Sequence, residues 1–211
     1  MSTTAPRVVL ATANPHKLGE IHAILAAAGV DLDLVAMTAL GVPSPVEDGE
    51  TFAANALLKA RACTAATGLP AIADDSGIEV DALDGAPGVY SARYAGPEAD
   101  DAANNAKLLA AVAGLAPEQR TARFVCVAAA VTPAGAEVAV RGEMPGRVID
   151  ELRGERGFGY DPLFVADATA DGRTNGELRP AEKDAISHRG AAFRALAAEL
   201  PALLAAGTRG P

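Results

Sequence analysis

RVVLATANPHKLGEIHAILAAAG, residues Arg7 to Gly29, sets the fold class. Its opening run, Arg7–Thr12, is short and β-branched, which predicts a buried strand. Small residues Ala13–His16 turn the chain. From Lys17 to about Ala28, the residues Leu18, Ile21, Leu25 and Ala28 fall on one helical face, and Gly29 supplies the stop. A strand that feeds a helix across so short a turn is the unit of a layered α/β protein. Working outward, Leu32–Met37 predicts a second strand and Leu40–Gly49 a loop. Thr51–Thr67 predicts an alanine-rich helix ended by Gly68 and Pro70. Ala71–Asp74 predicts a strand running into Asp74-Asp75-Ser76-Gly77, with Ile78–Val80 as its continuation.

Further along, Pro97 suits a first helical turn, with Glu98, Asp100 and Asp101 at the positive end and Gly114 as the stop. That helix carries Asn104, Asn105 and Lys107. Thr121–Val131 and Glu137–Met144, joined by Thr132–Ala136, predict a hairpin. Tyr160–Val165 predicts a short strand, and Ser187 caps a last helix to about Ala206, kinked at Pro201. Strands alternate with helices first and a hairpin follows, so the sheet is expected to be mixed. The chain is read as a single domain over 1–211, with any second lobe drawn from about 84–150.

Composition narrows the function. The chain has 211 residues, half of them apolar and 21% charged, which fits a packed globule and excludes wholesale disorder. A net charge of −9 argues against a nucleic-acid surface, but a small phosphorylated ligand needs only a local cluster of cations. Cys63 and Cys126 have no CxxC spacing, so neither a disulfide framework nor a zinc site is expected. With no leader pattern and no apolar run of ~18 residues, the expected setting is a reducing cytoplasm with no membrane contact. Of 18 basic residues only Lys17, Lys59, Lys107 and Lys183 are lysines. A compact ammonium in an arginine-rich chain is mild support for a specific use.

Six segments carry chemistry. Thr12–Lys17 (TANPHK) is a strand-to-helix turn ending in a lysine; unpaired N–H groups at a helix start make a seat for phosphate, although an ordinary turn has the same look. In Glu47–Ala60 (EDGETFAANALLKA), Phe52, Asn55 and Lys59 share a helical face, and Glu47 and Asp48 precede it as caps or metal ligands. Ala73–Gly77 (ADDSG) places adjacent acids at a strand end, where extended geometry sends them to opposite sides. One would face a ligand while the other braces it; an Asx turn is the alternative. Gly85–Gly96 (GAPGVYSARYAG) gathers Tyr90, Arg93 and Tyr94, best read as packing. In Arg156–Pro162 (RGFGYDP), glycines allow close backbone approach around Phe158, an aromatic able to stack on a base, while Asp161 can accept from ring N–H groups. Glu182–Gly190 (EKDAISHRG) concentrates Lys183, His188 and Arg189 at a helix start, against the dipole, which suggests a use.

Taken in order, from Val8 to about Phe193, these segments resemble the inosine/xanthosine triphosphate pyrophosphatase family. The resemblance implies a two-lobed α/β protein around a long mixed sheet flanked by helices, with the active-site cleft between lobes, usually a homodimer. It implies hydrolysis of non-standard purine nucleoside triphosphates (ITP, dITP, XTP) to a monophosphate and pyrophosphate, with Mg²⁺ as cofactor. By the same resemblance Asp75 is the catalytic proton acceptor and, with Glu47, a metal ligand, Asp74 being the other candidate for that second place. The implied substrate-binding residues are Thr12, Ala13, Asn14, Pro15, His16, Lys17, Lys59 and Ser76 toward the phosphates. Phe158, Gly159, Tyr160, Asp161, Lys183, His188 and Arg189 are implied toward the base and the rest of the substrate. The chain departs from the family pattern at Ala13, where glycine is common, at Pro15–His16, and at Val46, which stands where some members have a second acid. A related pyrophosphatase for pyrimidine or ordinary triphosphates, and a nucleotide-binding protein without turnover, are the competing readings. The whole reading requires Lys17, Lys59 and Lys183 to converge opposite Asp75.

Overall fold

The structure is a computed structural model that describes residues 5–13 and 15–207. Six strands form one sheet in the order β2-β1-β3-β4-β5-β6. They are β1 (Arg7–Leu10), β2 (Asp33–Ala36), β3 (Ala71–Val80), β4 (Thr121–Val131), β5 (Glu137–Val148) and β6 (Phe164–Ala166). β1 runs parallel to both β2 and β3, whereas β5 and β6 are antiparallel, so the sheet is mixed as expected. The helices are α1 (Pro15–Ala27), α2 (Phe52–Thr67), α3 (Asp101–Val112), α4 (Pro180–Ile186) and α5 (His188–Gly207). None of the described helices is long and apolar enough to cross a membrane.

The chain resolves into two compact units, whose boundaries cut through β3, β4 and β5. The first holds residues 1–75, 126–142 and 189–211. There the alternation of a strand decides which helix meets which side chain. Val8, Leu10, Ile72, Cys126 and Ala128 pack with Ile21, Ile24 and Leu25 of α1 and with Phe193, Leu196 and Leu200 of α5. Val9, Ala11, Ala71 and Ala73 point the other way, onto Ala60 and Cys63 of α2. Each fully buried Leu, Ile or Phe contributes about 1.5–3 kcal/mol. The second unit, residues 76–125 and 143–188, has its own core of Ile78, Val80, Leu108, Val112, Met144 and Phe164.

Local signals explain the helix ends. The Thr51 hydroxyl accepts from Ala54 N at 3.1 Å and caps α2, and Gly68 closes it in the left-handed region. Asp100, not Pro97, caps α3, because its carboxylate accepts from Ala103 N at 2.8 Å. Three further expectations are corrected. Asp74–Gly77 lies inside β3, which runs unbroken, so no Asx turn forms. Tyr160–Leu163 enters a 3-10 turn and only Phe164–Ala166 pairs as strand. Lys183 sits in the last turn of α4, where its charge suits the dipole, and is separated from His188 and Arg189 by the extended Ser187.

Candidate active site

Because β3 is extended, its adjacent acids part company. Asp74 follows Ile72 to the face covered by α1 and α5, and Asp75 follows Ala73 to the face covered by α2. On the first face, Lys17 Nζ donates to Asp74 Oδ2 at 2.9 Å, and Arg189 Nε lies 3.5 Å from the same oxygen. Arg189, only 2% exposed, also donates to Glu20 Oε2 at 2.9 Å. Burial opposes the charge on Asp74, yet Lys17, Arg189 and Lys59 outweigh it and hold the carboxyl well below its ordinary range.

The other face holds a second cluster. Lys59 Nζ donates to Glu47 Oε2 at 2.9 Å and to Asp75 Oδ1 at 3.3 Å, one ammonium between two carboxylates. Asn55, one helical turn before Lys59, donates from Nδ2 to Asp75 Oδ2 at 3.2 Å. Its Oδ1 accepts from Gly49 N at 2.8 Å, which ties the Glu47 loop to the helix. A Cβ at Gly49 would stand 2.6 Å from that Oδ1, so only glycine fits. Burial pushes the Asp75 carboxyl above its ordinary range and Glu47 adds to the rise, against the pull of Lys59 and Asn55. Burial opposes the Lys59 charge, but Asp75, Asp74 and Glu47 keep its ammonium above the ordinary value. The neighbouring carboxylates of Glu47 and Asp75 offer oxygen donors that suit a hard divalent cation, which takes one or two carboxylates and completes its shell with water and phosphate. Among the described residues no group of three or more His, Cys, Asp and Glu side chains forms a full protein cage.

The second unit holds a different cluster. Gly157 and Gly159 flank Phe158 with φ of 78° and 61°, and the Phe158 ring is 39% exposed. Phe158 N donates to Asp161 Oδ2 at 3.0 Å, Lys183 Nζ to the same oxygen at 2.6 Å, and Asn175 Nδ2 to Oδ1 at 3.2 Å. Lys183 Nζ lies 5.1 Å from the centre of the Phe158 ring, within cation–π range. His188 stacks on Phe124 with ring centres 4.9 Å apart. A Cβ at Gly157 would run into the Asp161 carboxylate, whereas one at Gly159 meets nothing within 4 Å. Gly157→Ala is therefore expected to destabilise by more than the ~1–2 kcal/mol that a left-handed backbone alone costs an alanine. Gly159→Ala is expected to show the backbone part only. Urea denaturation of the two variants checks this, and equal losses would remove the carboxylate contact from the account.

Residues 8–199 match the model of the Ham1 family. The chain belongs to the Ham1 family. Among Ham1 relatives, the dITP/XTP pyrophosphatase of Frankia alni is 55% identical over 203 residues, which cover 94% of this chain and 98% of the relative. The dITP/XTP pyrophosphatase of Cutibacterium acnes is 48% identical over 200 residues, covering 94% and 97%. A solved Ham1 structure from Coxiella burnetii superposes with a TM-score of 0.85 at 41% identity, covering 93% of this chain and 99% of its own.

Within this Ham1 chain the sites expected from sequence divide unevenly. Asp75, Glu47 and Lys59 meet directly. Lys17 joins Asp74 instead of Asp75, because strand alternation puts α1 on the opposite face. Lys183 is engaged by Asp161 inside the second unit, so the three lysines do not share one carboxylate. Arg189 is buried against Glu20 and Asp74, and Asp161, 2% exposed, accepts three donors from within the fold and organises the Phe158 loop. Thr12 and Ser76 are half-buried and Ala13 is exposed, while Tyr160 is buried with its hydroxyl on Ser91 O at 2.8 Å. Asn14 and the side chains of Pro15 and His16 lie outside the described residues. Sequence reasoning placed Asn55 on the Lys59 stripe without giving it a role; its four-residue spacing from Lys59 was the available signal. Nothing in the sequence pointed to Glu20.

Proposed function

We propose that the chain hydrolyses non-standard purine nucleoside triphosphates, ITP, dITP and XTP, to the monophosphate and pyrophosphate, clearing them from the nucleotide pool. The observation that carries the reaction class is the Glu47–Lys59–Asp75 cluster, where one ammonium contacts two carboxylates whose oxygens suit a divalent cation. The substrate class rests on the names of the Frankia alni and Cutibacterium acnes relatives. In this reading the two units act as one pyrophosphatase domain, the first taking the polyphosphate and the second the base.

Glu47 and Asp75 hold Mg²⁺. When bound, the ion screens the phosphate oxygens and raises the electrophilicity of the α-phosphorus. Asp75 orients a water and accepts its proton as the oxygen bonds to the α-phosphorus. The bond from that phosphorus to the bridging oxygen breaks, and pyrophosphate leaves. Lys59, the Lys17 ammonium and the start of α1 offset the charge on the leaving group. Positioning and charge stabilisation supply most of the rate.

Phe158 stacks on the base, and Lys183, held over its ring, donates toward a 6-oxo group together with His188. Adenine offers an amino group there, leaving a donor unmatched, and such mismatches discriminate strongly. The two buried free cysteines suit a reducing cytoplasm, and the family resemblance supports a homodimer. Pyrophosphate release from ITP, XTP, dITP, GTP, ATP and TTP, with and without Mg²⁺, tests the reading. Release from the first three only, and only with the ion, is expected; the 6-oxo contact sets them apart from ATP, and the exclusion of GTP, which shares that group, follows the relatives' names. Equal rates with ATP would point to a general triphosphatase, and binding of ITP without release would point to a sensor.

A further inference from the structure

We infer that α3 is the positioning element of the base-side loop, acting through Asp101 and Asn105. The inference rests on the reading of Phe158 as the base-stacking group. Asp101 and Asn105 stand one turn apart on a single face of α3, and they grip the two ends of one residue. Gly159 N donates to Asp101 Oδ2 at 2.6 Å, and Asn105 Nδ2 donates to Gly159 O at 2.9 Å. The neighbouring Asn104 does the same for the tyrosine-rich segment, accepting from Ala95 N at 2.8 Å and donating to Ala92 O at 3.1 Å.

Tyr160 closes the circuit, since its hydroxyl donates to Ser91 O in that same segment. Leu108 and Val112 of α3 pack in one core with Tyr160 and Phe164, so the helix is itself anchored. A loop with glycines at both sides of Phe158 has much conformational freedom to lose. Fixing Gly159 at both its N–H and its carbonyl removes that freedom before a ligand arrives, and pre-ordering of this kind favours affinity. Asp101 and Asn105 are thus positioning residues for base recognition, and they act on binding more than on the chemical step.

The test compares ITP hydrolysis by the wild type, Asn105→Ala, Asp101→Ala, Phe158→Ala and the double variant Asn105→Ala/Phe158→Ala. Inhibition by inorganic pyrophosphate, a probe without a base, is measured alongside. Asn105→Ala and Asp101→Ala are expected to raise KM about 10-fold, with kcat within about 3-fold and pyrophosphate inhibition unchanged. The double variant is expected to be no worse than Phe158→Ala alone, the mark of two residues acting through one contact. Asp101→Asn, which keeps an acceptor for Gly159 N, is expected to restore a near-normal KM. Asp101 is exposed, so its variants carry the test even if Asn105→Ala fails to fold. A wild-type KM in both alanine variants beside a raised KM in Phe158→Ala would overturn the positioning role and leave base stacking intact. A normal KM in Phe158→Ala would remove the base-side reading and the clamp with it.

Discussion

Asp75→Asn is expected to lower kcat for ITP about 10³-fold, roughly 4 kcal/mol in the barrier, while the protein stays folded with an unchanged or higher Tm. The substitution keeps the shape and removes a charge. One donor contact survives, because an amide oxygen can still accept from Lys59; the Asn55 contact becomes donor against donor and costs about 1 kcal/mol. Opposing that is relief of a buried carboxylate. The folded-state carboxyl is raised above its ordinary value, so its ionised form at neutral pH disfavours folding, and the neutral amide removes that burden. Activity and stability are therefore predicted to move apart, as at other sites where function keeps a strained charge. Single-turnover kinetics and a thermal melt on one preparation decide it. Near-normal turnover would mean that another group receives the water's proton.

The second large effect falls on the opposite face of the same strand. Arg189→Leu is expected to destabilise the protein by about 3–5 kcal/mol at pH 7, since it removes the buried cation that Asp74 and Glu20 share. Its pH dependence has a definite sign. The Asp74 carboxyl is depressed in the folded state, so its contribution is complete above the unfolded value of about 3.9 and fades as pH falls toward the folded one. The gap between wild type and variant is therefore expected to narrow below about pH 4. Urea unfolding at pH 7 and pH 3 reads both numbers. A loss under 1 kcal/mol at neutral pH would show that the Arg189 network is not what holds α5 to α1.

Much of this was legible before any coordinates. Strand-turn-helix at Arg7–Gly29 predicted β1 and α1, and the alternation rule predicted that Asp74 and Asp75 would separate. Capping chemistry found both ends of α2. The misses have physical causes. Pro97 looked like a helix start, but the capping bond belongs to Asp100, and a fixed φ ranks below a satisfied N–H. Other contacts lay beyond the reach of local pattern: Arg189 meets Glu20 and Asp74, 169 and 115 positions away, and Asp161 accepts from Phe158, Asn175 and Lys183, two of them outside its own motif.

Housing a reactive acid and a bracing acid on consecutive pleats of one strand makes the arrangement indivisible. Deleting any single residue between Ala71 and Ala73 would exchange the parity of both carboxylates together, turning the reactive one toward Lys17 and the bracing one toward Lys59. No partial version of that error exists, so length variation is expected to be purged from this stretch even where the identity of its small apolar residues is free to drift.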